Sequence, residues 1–217
     1  LEAMGCRVIV PGVIDSGRTR ISQGLLDEMP RLIRRNLDVL QPFLEAGLPI
    51  VGLEPSEVLT FRDEYADLCP DGELEDVERL GRSSFLLEEF VAERAESAVA
   101  AGPAAAGGAA TAGSLPEVAV HGHCHAKALG TADRVEAALR AFGYRTRSIP
   151  AGCCGMAGSF GYGEGTADVS KEIAGLKLLP FVERHREAIE NGEMVVCAHG
   201  FSCRHQIGDL SGLGSVH

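Results

Sequence analysis

A chain of 217 residues with 45% hydrophobic and 24% charged residues can bury a core, as one large domain or two small lobes, and its composition is that of a globular rather than a disordered or fibrous protein. A formal net charge of −11 and a pI near 5.1 argue against a broad basic surface for nucleic acid or anionic lipid, since such binding is driven by Lys and Arg neutralising phosphates. No apolar run approaches the roughly 20 residues needed to span a bilayer, and Leu1-Glu2-Ala3-Met4-Gly5 has neither the basic start nor the apolar stretch of a secretory leader, so the chain reads as cytoplasmic.

The first expected element is a strand over Cys6–Pro11, a β-branched run ending in turn residues. After a loop holding Asp15-Ser16-Gly17, the apolar positions Leu25, Leu26, Met29, Leu32, Ile33, Leu37, Leu40 and Leu44 recur at helical spacing. They predict one amphipathic helix or two consecutive ones over 22–46, ended by Gly47. Leu48–Leu53 reads as a second, buried strand, followed by a turn at Glu54-Pro55-Ser56. A helix is expected over Ser83–Ala95, and the Ala, Gly and Pro-rich stretch Ala98–Gly113 reads as a linker. Beyond it the patterns predict a strand at Val118–His121, a helix over 132–142, a strand at Tyr144–Ile149, a helix over 166–189 and a strand at Glu193–Cys197. Strands alternating with helices predict an α/β fold with parallel sheets.

The two halves read as copies of one βαβ (Rossmann-like) unit. In the first, a strand ends at Pro11, a loop holds Asp15-Ser16-Gly17, a long helix follows, and a strand leads into Pro55-Ser56-Glu57. In the second, a strand ends at Pro150, a loop holds Cys153-Cys154-Gly155, a long helix follows, and a strand leads into Phe201-Ser202-Cys203. The expected organisation is a first repeat over 1–97, a linker over 98–116 and a second repeat over 117–217. The second half has an opening strand without a counterpart in the first, so a complete first copy is expected to need residues upstream of Leu1. In this alignment Asp15, Ser16 and Glu57 stand where the second half has thiols.

Seven cysteines in a chain read as cytoplasmic point to metal binding or catalysis rather than a disulfide framework, and adjacent Cys153 and Cys154 would strain a mutual disulfide. Cys124, Cys153, Cys154 and Cys203 all fall just after predicted strands or in strand-to-helix loops, the carboxyl-end positions where open α/β sheets place their sites. Thiolates select zinc or iron–sulfur clusters, and four of them satisfy either. Gly152 and Gly155 flank the thiol pair, and Gly158, Gly161, Gly163 and Gly165 follow, giving the backbone freedom to approach a bulky inorganic core. No Gly-Lys-Ser/Thr end or dinucleotide fingerprint is present. Cys6 and Cys197 are assigned to the core and Cys69 to a polar loop. His121, His123 and His125 alternate on an extended segment and would share one face with Cys124 on the other, placing them as ligands, hydrogen-bond donors or a polar rim. A Cys beside a His also allows a thiol nucleophile. Lys127, Arg204 and His205 add positive charge beside the thiols.

The segments His121-Gly-His-Cys-His-Ala-Lys-Ala-Leu129, Gly152-Cys-Cys-Gly-Met-Ala-Gly-Ser-Phe-Gly-Tyr162 and Gly200-Phe-Ser-Cys-Arg-His-Gln-Ile207 together resemble the cysteine-rich CCG domain. That domain occurs in the cysteine-rich subunit of heterodisulfide reductase, in the glycolate oxidase iron–sulfur subunit, and in the C-terminal region of bacterial FAD-linked 2-hydroxyacid dehydrogenases, to which the likeness is greatest. Gly24-Leu25-Leu26 and Gly52-Leu53-Glu54-Pro55-Ser56 resemble the first CCG repeat, so the resemblance covers nearly the whole chain.

The resemblance implies a CCG-type fold and an electron relay. FAD in a partner domain or subunit takes two electrons from a D-2-hydroxyacid of the lactate, glycolate or 2-hydroxyglutarate type, and iron–sulfur centres, including a ferredoxin-like partner domain, carry them onward. It implies that Cys124, Cys153, Cys154 and Cys203 bind the cofactor, a 4Fe-4S cluster with zinc as the alternative, and that partners can hold the chain at the periphery of the inner membrane. The chain itself carries no recognisable FAD domain and no Cys-x-x-Cys-x-x-Cys run, so it is expected to be a component of an oxidoreductase and not to oxidise a hydroxyacid alone. A zinc-binding structural module of the same enzyme system and a Cys/His thiol enzyme are the alternatives. Two departures matter: Gly200 replaces the first thiol of the Cys-x-x-Cys common in the family, leaving four ligands instead of five, and the first repeat, with Asp15, Ser16 and Glu57, is expected to hold no cluster.

Overall fold

The computed structural model describes residues 1–12, 14–100 and 115–217, the side chains of 96–100 excepted. The fold is α/β and Rossmann-like, with two small parallel sheets, and the chain divides into two compact units, Leu1–Val91 and Ala92–His217. Among the described residues no helix is long and apolar enough to cross a membrane. The linker expected over 98–116 lies, apart from its ends, outside the described residues.

The first unit contains helices α1 (Arg18–Ser22), α2 (Met29–Glu45), α3 (Pro55–Arg62), α4 (Glu64–Leu68) and α5 (Leu74–Ser83), strands β1 (Ile50–Gly52) and β2 (Ser84–Leu86), and the start of α6 (Leu87–Ala100). β1 and β2 pair in parallel, Ile50 opposite Ser84 and Gly52 opposite Leu86. The helical periodicity expected over 22–46 resolves into the second of its two options, a short 3-10 turn at Leu26–Glu28 leading into α2. Met29, Leu32, Ile33, Leu37, Leu40 and Leu44 form the buried stripe of α2 and pack on Phe61, Tyr65, Val77 and Leu80. Gly47, at φ 67°, turns the chain out of this helix.

Three expectations for the first unit are corrected. Cys6–Pro11 is not a strand: its β-branched residues favour extended backbone, but no strand among the described residues lies beside them, and Val10 is 81% exposed. Cys6 is accordingly half-buried rather than a core residue. Glu54-Pro55-Ser56 is not a free turn but the start of α3, since Pro at the first helical position loses no hydrogen bond and the Glu54 carboxylate accepts from the Ser56 N–H and hydroxyl. The helix expected from Ser83 begins only at Leu87, because Ser84–Leu86 is taken up by pairing with β1.

The second unit has β3 (Glu117–His121), α7 (Cys124–Ala128), α8 (Arg134–Ala141), β4 (Arg145–Ser148), α9 (Ala167–Leu176), α10 (Leu178–Arg184), α11 (Arg186–Glu190), β5 (Met194–Ala198) and α12 (Phe201–Ser211). Its sheet order is β4-β3-β5, all parallel, with Glu117 opposite Arg145 and Met194, and His121 opposite Ala198. β3 lies in the middle and is buried on both sides, which is why it reads as a near-continuous apolar run. β4 is an edge, and its Arg145 and Arg147 are the charges that protect such an edge from further pairing. The single helix expected over 166–189 is broken into three. Pro180 has no N–H and its ring would clash with the carbonyl of Leu176, so helical geometry is interrupted at Lys177, at φ −146°.

Candidate metal centre

The carboxyl ends of β3 and β5 lie side by side, and the candidate cysteines and histidines lie at or just beyond the ends of β3, β4 and β5. His121 is the last residue of β3, in register with Ala198, the last of β5. Three residues past His121 the chain enters α7, whose first residue is Cys124; three past Ala198 it enters α12, whose third residue is Cys203. The loop after β4 carries Cys153 and Cys154.

The structure brings the four thiols predicted from the sequence into one contiguous set. Cys124 and Cys153, Cys153 and Cys154, and Cys154 and Cys203 are each close enough to shift one another's protonation, and the sulfurs of Cys154 and Cys203 lie within 4.8 Å of each other. Cys154 and Cys203 are buried, Cys153 is half-buried and Cys124 is exposed, so the set runs from the core to the surface. Cys197 is buried among Val118, Val120 and Val135, and Cys69 lies against the core of the first unit; neither joins the site.

The thiols divide into donors and acceptors of protons. The Cys153 thiol is pulled far below its ordinary range by the S–H groups of Cys124 and Cys154, aided by the Gly155 N–H at 3.2 Å. Cys203 is held down to about 5, chiefly by Cys154, against desolvation and with help from the imidazoles of His121 and His123. Cys124 and Cys154 are pushed up, first by the neighbouring thiols they donate to and then by burial. Two thiolates are therefore already favoured, as a metal requires of its sulfur ligands.

The loop around the thiol pair is clamped on three sides. Lys127 Nζ, on α7, donates to the Ala151 carbonyl and, at 3.0 Å, to the Gly152 carbonyl. Burial pushes the Lys127 pKa down, while all four thiols act to raise it, which places the ammonium beside the whole set. Gln206 Nε2, one turn beyond Cys203 on α12, donates to the Cys154 carbonyl at 3.1 Å and to Ser170 Oγ at 2.8 Å. Gly155, at φ 94°, lets the loop lie against α9: a β-carbon there would sit 2.2 Å from the Ser170 carbonyl oxygen. Of the other expected cations, Arg204 donates to the Ala198 carbonyl at 2.8 Å, and His205 is exposed with its ring against Phe201, so His205 is not part of the site.

The histidines differ from the alternating face expected of them, because the strand ends at His121 and α7 begins at Cys124. His123 becomes the N-cap of α7, its Nδ1 accepting from the His125 N–H at 3.3 Å, and its own N–H donates to His199 Nε2 at 2.8 Å. His125 is half-buried within the first turn of α7. His121 is fully buried, neither ring nitrogen has a nitrogen or oxygen hydrogen-bond partner, and a ring nitrogen lies with the sulfurs of Cys154 and Cys203 within 4.8 Å of one another. Sequence reasoning passed over His199, 1% exposed, although its position directly after the last predicted strand marks it as a carboxyl-end residue.

Gly200 has a steric cause. A β-carbon on it would fall 2.4 Å from His123 Cδ2 and 3.2 Å from both His123 Nε2 and Cys203 Sγ. The space in which a thiol at position 200 would begin is filled by the His123 ring.

In the first unit, the loop expected to correspond is closed without sulfur. The Ser16 hydroxyl, fully buried, donates to Glu57 Oε2 at 2.6 Å, and the Ser16 N–H donates to the same oxygen at 3.3 Å. Glu57 is the third residue of α3, as Cys203 is of α12. Asn36 Nδ2 donates to the Asp15 carbonyl and to Tyr65 Oη, both at 2.7 Å, tying the loop to α2 and α4. Burial acts to raise the Asp15 pKa, but the Gly17 N–H and the Arg20 guanidinium outweigh it, and the carboxyl lies below its ordinary 3.8. A lowered carboxyl stabilises the fold above its unfolded pKa and loses that contribution as pH falls through its folded value. Asp15→Asn is therefore expected to be destabilising at pH 6 and close to neutral at pH 2, with a small effect because the side chain is 48% exposed; urea denaturation of both proteins at the two pH values measures it.

No family model matches this chain, and no solved structure matches it. The chain is similar along its whole length to the D-2-hydroxyglutarate dehydrogenase of Pantoea ananatis (strain AJ13355), 27% identical over 222 aligned positions that cover 100% of this chain and 19% of that protein. It is similar to the D-2-hydroxyglutarate dehydrogenase of Escherichia coli (strain K12), 27% identical over 219 aligned positions that again cover 100% of this chain and 19% of that protein. The enzyme of the same name from Pseudomonas putida (strain KT2440) is 25% identical over 211 residues, 94% of this chain and 18% of that protein. The chain spans about a fifth of the length of the curated relatives it matches, at their C-terminal end.

Proposed function

We propose that this chain is an iron–sulfur electron-transfer module of CCG type serving an FAD-linked oxidoreductase that acts on D-2-hydroxyacids. The observation that carries the reading is the contiguous set of Cys124, Cys153, Cys154 and Cys203 at the carboxyl ends of a parallel sheet. Likeness to D-2-hydroxyglutarate dehydrogenases along the whole chain supports the substrate class.

The residues present fit such a group. Four soft sulfur donors suit a cluster, two of them are favoured as thiolates, and the uncommitted imidazole of His121 marks a place where a polar partner belongs. When bound, an iron–sulfur cluster supplies one-electron transfer. The chain's own residues hold and insulate it: Lys127 and Gln206 fix the loop that presents Cys153 and Cys154, and Lys127 offsets negative charge on the thiolates. The burial of Cys154 and Cys203 keeps water from the inner side, while exposed Cys124 marks the side toward a partner. FAD, the hydroxyacid and a ferredoxin-like relay belong to partner domains or subunits. The first unit is a copy of the second in which Ser16 and Glu57 join loop to helix by a hydrogen bond, so it holds no cluster.

Anaerobic reconstitution with iron and sulfide tests this reading. The expected result is a brown protein with broad visible absorbance, near-stoichiometric cluster iron and sulfide, and loss of both in Cys154→Ser. A colourless, iron-free protein overturns the iron–sulfur assignment. Tight stoichiometric zinc in its place assigns the site to a structural role.

A further inference from the structure

We propose that His121 is a direct nitrogen ligand of the metal centre, making its buried half Cys154, Cys203 and His121, a mixed set that all-cysteine coordination does not describe. This deepens the reading of the site given above and rests on it.

Three observations converge on His121. First, the side chain is 0% exposed, neither Nδ1 nor Nε2 has a nitrogen or oxygen hydrogen-bond partner, and the polar group the ring faces is the Cys203 thiol. A buried imidazole with unmet polar atoms is unfavourable, and such a group in a folded protein marks a place for an ion or another polar partner. Secondly, its position is directed. A ring nitrogen of His121 and the sulfurs of Cys154 and Cys203 lie within 4.8 Å of one another, all three residues buried, close enough to belong to one compact metal centre. Thirdly, the backbone that carries His121 is held in the sheet: it closes β3, the central strand, in register with Ala198.

The neighbouring histidines do not compete for this role. His123 Nδ1 accepts a hydrogen bond from the His125 N–H, so in the neutral ring the proton is on Nε2, the nitrogen beside Cys203 and Gly200; that nitrogen is a donor and has no lone pair for a metal. His199 uses Nε2 to accept from the His123 N–H, which places its proton on Nδ1. Both rings are therefore assigned by their hydrogen bonds to support the loop after β3. Where a thiol at position 200 would have added a fifth sulfur, the chain has glycine and the His123 ring, and His121 restores the ligand count from the opposite strand. Exchanging thiolate for imidazole lowers the negative charge of a cluster and raises its reduction potential, as histidine-ligated iron–sulfur centres illustrate.

The test uses the full chain, reconstituted anaerobically with iron and sulfide, prepared with natural-abundance and with 15N-labelled histidine and examined by pulsed EPR after reduction. The expected result is a strong nitrogen hyperfine coupling that changes isotope with the label, vanishes in His121→Ala and persists in His123→Ala. His121→Cys is expected to retain the cluster at a lower reduction potential. A cluster with only the weak coupling of a hydrogen-bonded ring, or none, overturns His121 ligation and leaves the iron–sulfur reading standing. Failure to form any cluster overturns both. The isotope comparison is made on the unaltered sequence, so it decides the question even where a variant does not fold.

Discussion

Gly155→Ala is expected to destabilise the chain by about 2–5 kcal/mol, the sum of roughly 1–2 kcal/mol for a left-handed non-glycine residue and roughly 1–3 kcal/mol for overpacking, and to prevent metal loading. The residue sits at φ 94°, and a β-carbon on it would lie 2.2 Å from the Ser170 carbonyl oxygen and 3.0 Å from its carbon. That contact is with the backbone of α9, which no side-chain rotation relieves. Moving the loop away would break the Gln206 bonds that join the Cys154 carbonyl to Ser170 and shift Cys154, the thiol between Cys153 and Cys203. Gly152→Ala provides the control on the other side of the thiol pair, since nothing lies within 4 Å of its β-carbon position; it is expected to be neutral within about 0.5 kcal/mol. Urea denaturation with metal analysis of the two variants checks both, and equal stabilities would show that the close approach at Gly155 is relieved at no cost.

Those two glycines also show how far the sequence could be read. Glycines around the thiol pair signalled an unusual loop, but only coordinates separate Gly155, which faces a carbonyl, from Gly152, which faces open space. The sheet of the second unit was legible because β3 and β5 are short apolar runs bounded by turn residues, and the thiols followed from their places after those strands. Helices α3, α4 and α5 were not legible. Pro55 reads equally as a turn or as the first residue of a helix, and what decides is the Glu54 carboxylate accepting from Ser56. The unpaired fate of Cys6–Pro11 depends on the absence of a neighbouring strand among the described residues, a property of the sheet and not of the segment. At the site, the alternation of His121, His123 and His125 suggested one shared face because the strand was extended too far. Ending it at His121 buries that ring beside Cys154 and Cys203 and turns His123 into a helix cap. The glycine at position 200, conspicuous as a missing thiol, becomes intelligible only when the His123 ring is found in its space.

Ser16→Ala is expected to lower the stability of the first unit by about 1.5–3 kcal/mol, the range for a hydrogen bond to a charged partner. The Ser16 hydroxyl is fully buried, donates to Glu57 at 2.6 Å and accepts from the Arg18 N–H at 3.2 Å, so its removal leaves a carboxylate oxygen with only the longer 3.3 Å bond from the Ser16 N–H. Glu57→Gln keeps an acceptor on α3 and should cost less, while Glu57→Ala should approach the cost of Ser16→Ala. In a double-mutant cycle the Ser16 and Glu57 substitutions should therefore couple by well over the few tenths of a kcal/mol seen for independent sites. The comparison with the second unit sharpens the expectation. There the residues that the proposed repeat pairs with them, Cys154 and Cys203, lie together as thiols, and on the proposed reading full strength of the join waits on a metal; here a neutral hydroxyl and a carboxylate join loop to helix directly. A chelator should thus weaken the reconstituted second unit while leaving the Ser16–Glu57 coupling unchanged, measured as urea midpoints with and without chelator. A coupling that disappears with the chelator would mean that the first unit also depends on a metal.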